Sequence, residues 1–313
     1  MLSRVAESLF WLGRNVERSE TVARILDVNL NRAMDFYSPH DERADRLWRV
    51  VMQCAGFVTS DELPKKTLAA NDVLQFCSFD LKNPSSIRSS IRIARSSALA
   101  IRSELTVEVW ETVNVLFLFV EGQSMETISV GGPSRFLRHV RDTAQAFAGV
   151  SSGTLSHGDR WHFLLAGRFL ERAYMTARMI AAIDPQHEPW PELQRLLEMC
   201  CASEPFAHFS SHDPAIADVM QFLVLSPDFP RSLRYCVREL DNSLHRISQT
   251  PRGTFSNGAE QDLGRMRALF DYTPVDEVLA DGIEGFASGI VARLERLTSA
   301  IERAYFPRLL VTP

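Results

Sequence analysis

The stretch Gly13-Arg14-Asn15-Val16-Glu17-Arg18, followed by Ala23 and Arg24, decides how the chain is read. It returns 154 positions later as Gly167-Arg168-Phe169-Leu170-Glu171-Arg172, followed by Ala177 and Arg178. Around the first copy, Val5, Leu9, Leu12, Val16, Ser19, Ala23, Leu26 and Leu30 recur at alternating steps of three and four. That is the period of an α-helix with one apolar seam, and Ser3 is placed to cap it. At 100° per residue, Gly13, Glu17, Glu20 and Arg24 form a strip beside the seam, while Arg14 and Arg18 lie opposite it. Between the copies the apolar positions change (Val16 to Leu170, Ile25 to Met179), whereas Arg14, Glu17, Arg18 and Arg24 keep their type. A solvated face would drift as freely as the apolar one. The pattern therefore predicts helices buried on two sides, with Glu17 and Glu171 paired to arginines and Gly13 and Gly167 admitting close helix approach. The same residues also suit a pocket for a carboxylate, a phosphate or an amine, and the sequence leaves both readings open.

Working outward, a second block repeats. Phe76, Pro84, Ser86, Ile87, Arg88, Ile91 and Arg92 match Phe222, Pro230, Ser232, Leu233, Arg234, Val237 and Arg238 at an offset of 146. Two blocks in one order at nearly one spacing indicate an internal duplication of about 150 residues. After Asn83-Pro84, apolar residues from Ile87 to Val109 keep helical steps, with Asn83 as cap and Pro84 in the first turn. Thr273-Pro274 opens a further helix with Asp276 and Glu277 in its first turn. No window alternates with β-branched residues, so no sheet is expected. Breaks are expected at Ser38–Asp41, Asp61–Lys66, Phe79–Asn83, Gly122–Pro133, Gly149–Gly158, Asp184–Pro191, Ser203–Pro214, Ser226–Pro230 and Thr250–Gly258. The prediction is an all-α, multi-helix bundle, one domain over 1–313. It consists of two pseudo-equivalent halves, 1–150 and 151–313, meeting near Gly149–Gly158.

With 45% hydrophobic and 23% charged residues, the 313-residue chain has the composition of a globular protein, not of a disordered one. A formal charge of -5 supplies no global positive field, which argues against nucleic acid as a partner. Of 34 basic residues only Lys65, Lys66 and Lys82 are lysines; arginine suits bidentate bonds to carboxylates, and a GC-rich genome is the plainer explanation. Cys54, Cys77, Cys200, Cys201 and Cys236 are odd in number and lack C-x-x-C, so neither a disulfide framework nor a zinc site is expected. The longest apolar run, Val115 to Val120, is far short of the roughly 20 residues that span a bilayer. Glu7 and Arg14 interrupt the N-terminal apolar stretch, which is not that of a signal peptide. A cytoplasmic protein without membrane contact is expected.

Other candidate chemistry is thinner. Arg88, Arg92, Arg95 and Arg102 share one wedge of their helix, and if that helix packs on the Glu17 helix they would meet its glutamates or an anion. Glu104, Glu108 and Glu111 align around Trp110, but without the E-x-x-H pairs of a di-iron bundle. Glu204, His208 and His212 are spaced by four, yet Pro205 and Pro214 flank them and the stretch reads as loop. His157 and His162 are placed to cap and pack the second Glu-Arg helix. Phosphate-gripping glycine loops, nucleophile elbows, dinucleotide fingerprints and H-E-x-x-H are missing. No cofactor is expected, and no autonomous ATP site.

The opening Met1-Leu2-Ser3-Arg4-Val5-Ala6-Glu7-Ser8-Leu9-Phe10-Trp11-Leu12-Gly13-Arg14, running into Glu17-Arg18, resembles the bacterial Alpha-E family. Trp161-His162-Phe163 with Gly167-Arg168-Phe169-Leu170-Glu171-Arg172-Ala173 resembles that family's second signature. Glu108-Val109-Trp110-Glu111 with Asn114, Asn83-Pro84-Ser85-Ser86 and Ile301-Glu302-Arg303-Ala304-Tyr305-Phe306 are similar too, so the likeness spans the chain. Asn15-Val16 departs from the bulkier residues usual before Glu-Arg, and Ser96-Ser97 from the usual Asn or Ala. The family's activity is not established. Its members are typically encoded beside, or fused to, circularly permuted ATP-grasp proteins, often with a transglutaminase-like peptidase nearby. The resemblance implies a partner of an ATP-grasp-type peptide or amide ligase, not itself ATP-hydrolysing. The alternative is a stand-alone enzyme acting through paired Glu and Arg on a carboxylate- or amine-bearing substrate. The candidate network on either reading is Arg14, Glu17, Arg18, Arg24, Arg88, Arg92, Arg95, Arg168, Glu171, Arg172 and Arg178.

Overall fold

Helix α1 runs unbroken from Ser3 to Phe36, and between Ala6 and Leu30 nearly every residue is buried, polar ones included. An amphipathic surface helix buries one stripe; a helix buried around its circumference is the axis on which others pack. These descriptions come from a computed structural model, which describes residues 3–36, 41–55, 57–184, 189–210, 214–280 and 282–307. Among them are fifteen α-helices and no strand, so the chain is all-α as its periodicity predicts.

After α1 come α2 (Glu42–Cys54), α3 (Ala70–Ser78), α4 (Ile87–Ala100), α5 (Val107–Glu121), α6 (Met125–Gly131) and α7 (Pro133–Thr154). A second long buried helix, α8 (Asp159–Ala182), then begins a similar succession. It continues through α9 (Pro189–Met199), α10 (Ser203–Phe209), α11 (Ile216–Met220), a π-helical turn at Gln221–Leu225, α12 (Leu233–Ser248), α13 (Gly258–Tyr272), α14 (Val275–Ala280) and α15 (Ile283–Tyr305). Helix α1 packs on α4, α7 and α8, while α8 packs on α12, α15 and α1. The pair α4–α5 is mirrored by α12–α13. Both α7 and α15 start behind a glycine at positive φ, Gly132 at 86° and Gly282 at 81°, a conformation L side chains rarely adopt.

Helices α1 and α8 touch backbone to backbone. A Cβ on Gly13 would strike the Leu164 carbonyl oxygen, with Leu164 C at 3.1 Å and Arg168 N at 3.2 Å. Conversely, a Cβ on Gly167 would strike the Phe10 carbonyl oxygen, with Phe10 C at 2.8 Å and Cα at 3.1 Å. Around this crossing Leu9, Leu12, Ile25, Leu26 and Leu170 are completely buried, and each such side chain contributes about 1.5–3 kcal/mol. Apolar burial therefore supplies the driving force. The polar groups at the crossing decide register.

Several local expectations are corrected. The helix expected to run from Ile87 to Val109 is two helices: a 3₁₀ turn at Arg102–Glu104 intervenes, and Thr106 starts α5 by accepting from Val109 N. Ser86, not Asn83, caps α4; Asn83 instead accepts from Ser85 N and donates to the Phe76 carbonyl. Ser3 stands inside the first turn of α1. Helix α6 fills the Gly122–Pro133 stretch read as a break, and α10 does the same within Ser203–Pro214. Helix α7 continues through Gly149 and Gly153, so the turn before α8 shrinks to Leu155–Gly158.

Gly167→Ala is expected to lower stability by about 1–3 kcal/mol or more, because the obstructing atoms are backbone and cannot rotate away. Gly149→Ala, on an exposed helical position with open space around it, is expected to raise stability by about 0.5–1 kcal/mol. Urea unfolding of both variants against the wild type reads the contrast.

Candidate functional site

The crossing of α1 and α8 puts two buried carboxylates within reach of arginines on the opposite helix. Glu171 has no exposed surface. It accepts from Arg14 Nε at 2.8 Å and from Arg18 Nε and Nη2 at 2.5 and 3.0 Å. Glu17 accepts from Arg172 Nε and Nη2 at 2.6 and 3.0 Å and from Arg168 Nε at 3.2 Å. The pairing is reciprocal: each helix holds the other's glutamate with its two motif arginines. Spacing explains it, since Arg14, Glu17 and Arg18 lie within about one turn of the same helix, as do Arg168, Glu171 and Arg172.

Two residues outside the predicted set complete the cluster. Arg231, in the turn before α12, reaches Glu17 Oε1 at 3.4 Å and Glu20 Oε2 at 2.9 Å. Glu20 also pairs with Arg24 on its own helix. Glu20 was visible beside Glu17 in the helical projection. Arg231 carried no signal, because the matching position of the first half is Ser85. The cluster thus joins Glu17, Glu20 and Glu171 to Arg14, Arg18, Arg24, Arg168, Arg172 and Arg231.

Burial by itself would raise the glutamate pKa values. The opposing arginines overcome it. Burial pushes Glu17 up, but Arg172, Arg231 and Arg168 hold it far below the usual carboxylate range. Glu171, held by Arg18 and Arg14, and Glu20, held by Arg231 and Arg24, are likewise lowered. None is an acid carrying a proton at neutral pH. Thiol chemistry is suppressed nearby: burial pushes Cys54 up to about 11 and Cys200 and Cys236 up to about 12, away from a reactive thiolate.

Four predicted members stand elsewhere. Arg88, Arg92 and Arg95 do not meet the glutamates, although α4 packs on α1: its apolar stripe faces α1 and its arginines face α5. Arg92 pairs with Glu121 at 2.6 Å, Arg88 donates to the Val120 carbonyl at 3.1 Å, and Arg95 bonds Asn114 at 3.0 Å over the Phe117 ring. Arg178 bonds the Gln53 carbonyl and lies 4.4 Å from the Phe57 ring centroid. Its counterpart Arg24 bonds Glu20, so the repeated arginines here share type but not partner. His157 stacks on Trp161 at 4.5 Å. His212 lies outside the described residues, and Glu204 and His208 fall on α10 instead of a loop. Among the described residues no group of three or more His, Cys, Asp or Glu is arranged to hold a metal, and no helix is long and apolar enough to cross a membrane.

A cavity of about 20 Å³ lies between α1, α7 and α8, with Glu17, Glu20, Ser151 and Arg168 among its lining. That is room for about one water and not for a substrate. The geometry at the Glu-Arg motif is a clasp.

The family Alpha-E, described as a predicted alpha-helical domain with a conserved ER motif, matches residues 1–306. Uncharacterized proteins of Mycobacterium tuberculosis and Mycobacterium bovis are 24% identical over 310 residues, covering 92% of this chain and 35% of their own length. The chain thus spans about a third of the curated relatives it matches. No solved structure matches it.

Glu171→Leu is expected to cost about 3–5 kcal/mol, since it strands Arg14 and Arg18 in the interior. Combining it with Arg14→Met and Arg18→Met is expected to cost less than Glu171→Leu alone, because no charge is left unpaired. The pH dependence has a fixed sign. Folded-state pKa values lowered below the unfolded value, about 4.3, give stability that is present above that value and lost as pH falls through the folded ones. Thermal melts from neutral to acid pH should show this loss in the wild type and a shallower one in the triple variant.

Proposed function

The chain belongs to the Alpha-E family, and on that premise we propose that it is the helical accessory partner of an ATP-grasp-type ligase that forms peptide or amide bonds. It docks on the ligase and helps hold the peptide or amino-acid substrate, while the ligase carries the nucleotide chemistry. A transglutaminase-like peptidase belongs to the same proposed system. The observation that carries the reading is the saturation of Glu17 and Glu171 by arginines of the opposite helix. A general acid or base needs a proton affinity near the working pH and access to substrate. These carboxylates have neither, so the motif's role is to build a frame.

Two further observations support the reading. The mycobacterial relatives continue well beyond the matched part, so there the domain is joined to additional chain, as suits a module that works beside another unit. The reciprocal clasp is what an isologous interface between two copies looks like once they are fused in one chain. It supports an origin of 1–150 and 151–313 by duplication within one domain.

Co-expression of the tagged chain with an ATP-grasp-type ligase from the same host tests the proposal. Co-elution at near-equal amounts, with ligase turnover that needs both chains, is the expected result. A well-folded chain that elutes alone, beside a ligase fully active without it, would overturn the partnership.

A further inference from the structure

We infer that the outer face of α5, with Leu99 of α4 beside it, is a docking surface for an amphipathic helix of a partner chain, apolar on one side and flanked by lysine or arginine. The inference deepens the proposed function and rests on it only for which chain supplies that helix. Helix α5 buries Val109, Val113, Leu116 and Val120 on one side. A helix packed on one side ordinarily turns polar residues to water on the other. Here the outward strip carries Val107, Val115 and Leu118, within about 80° of one another around the helix. The ladder Arg102–Trp110, Arg95–Asn114 and Arg92–Glu121 sets α4 antiparallel to α5 and brings Leu99, from the same wedge of α4, alongside. These four apolar side chains are between 53% and 60% exposed.

Single exposed apolar side chains are common on any surface, so the weight falls on a comparison inside the molecule. The pair α12–α13 repeats the packing of α4–α5. Shifted by 150 positions, from Glu121 to Asp271, the buried residues of α5 coincide with Ala259, Leu263, Met266 and Phe270, all buried on α13. Glu121 and Asp271 each pair with the matching arginine, Arg88 or Arg234. At the same shift Val107, Val115 and Leu118 fall on Asn257, Arg265 and Ala268, and Leu99 falls on His245 at the 146-residue offset of its own block. The second pair thus folds and packs with polar or small residues at these places. Packing does not require leucine and valine there, and an apolar strip that packing does not require marks a surface used for contact.

Charge selects the occupant. Glu108 and Glu111 border the strip, exposed, and neither side chain has a hydrogen bond or an ion pair among the described residues. The matching positions of α13 are Gly258 and Gln261, so the acidic border accompanies the apolar strip. The nearby arginines are already engaged, Arg92 with Glu121, Arg95 with Asn114, and Arg102 over the Trp110 ring. Uncompensated carboxylates beside an apolar strip favour a partner that presents cations beside apolar residues, and they disfavour an anionic membrane. A second copy would bring the same carboxylates into one interface. From Val107 to Leu118 the strip is about 16 Å long, which about three turns of helix cover. Apolar anchors at helical spacing on such a helix would lie along it.

Fluorescence anisotropy on the full chain, without any ligase and at low salt, tests this with a labelled helical peptide of about 18 residues. The peptide bears leucines at i, i+3, i+4 and i+7 spacing with lysines on either side, and its twin carries glutamates in place of the lysines. The lysine peptide is expected to bind at least about tenfold more tightly than the glutamate peptide. Val115→Arg with Leu118→Ala, which gives α5 the residues of α13, is expected to weaken the lysine peptide by about tenfold or more with Tm unchanged. Glu108→Lys with Glu111→Lys is expected to invert the order of the two peptides. No binding at submillimolar peptide, equal binding of the twins, or indifference to either double variant would each overturn the inference. Sedimentation of the chain alone and with phosphatidylglycerol vesicles is expected to be unchanged by Val115→Arg with Leu118→Ala. Loss of a dimer or of vesicle binding in that variant would assign the face to a second copy or to a membrane, and overturn the inference. Because the ligase is absent, failure here is distinct from failure of the partnership, which the co-elution experiment decides.

Discussion

Two helices that approach until only glycine fits between their backbones leave little room for side chains at the crossing itself. The residues one turn away then determine whether the contact is specific. In this protein those residues are charged. Glu17 and Glu171 must find their counter-charges across the crossing, because the motif arginines of each helix are used by the other helix's glutamate. Apolar burial along α1 and α8 is larger in energy, but it is tolerant of a slide along the axis. A buried ion pair is not, since a shift of one turn would strand Glu17, Glu171 and the four motif arginines that hold them across the crossing. The remaining helices are laid on this pair, α4 and α7 against α1, α12 and α15 against α8.

Much of that was legible in the sequence, and the reason is physical. Helical period, the repeated glycine and the retained charge type are properties of a helix buried on more than one side, and α1 and α8 fulfilled them. What was not legible depended on which neighbour a face meets. Arg88, Arg92 and Arg95 looked like companions of Glu17, but a helix carries its apolar stripe and its arginine wedge on different sides, and the stripe took α1. Arg231 was invisible because the matching turn of the first half carries Ser85 at that position. The break between α4 and α5 was hidden by apolar residues that continue in register through Ile101 and Leu105, both still buried, although the backbone between them is no longer α-helical.

The arginine surplus also divides in an informative way. At the clasp, arginines outnumber carboxylates yet all contribute to one packed cluster. At α4–α5 they lie against aromatic rings, Arg95 over Phe117 and Arg102 over Trp110, where the planar guanidinium acts as much by stacking as by charge. A buried Nε without an acceptor recurs at Arg24, Arg88, Arg178 and Arg195. One residue type thus serves as frame and as veneer, and burial together with partner identity distinguishes the two.

The reciprocity of the clasp bears on how the chain is made. Arg172 lies 155 positions after its partner Glu17, so α1 leaves the ribosome long before the arginines that will pair with it. At synthesis rates of about 5–20 residues per second, that interval is roughly 8–30 s. Through it, the side of α1 destined for α8 presents Arg14, Glu17 and Arg18 to water instead of a bare apolar stripe. A contact sealed by leucines alone would leave a nascent helix prone to capture by any other exposed apolar surface. Charge that is costly to bury at the end is what keeps the unfinished half hydrated while it waits.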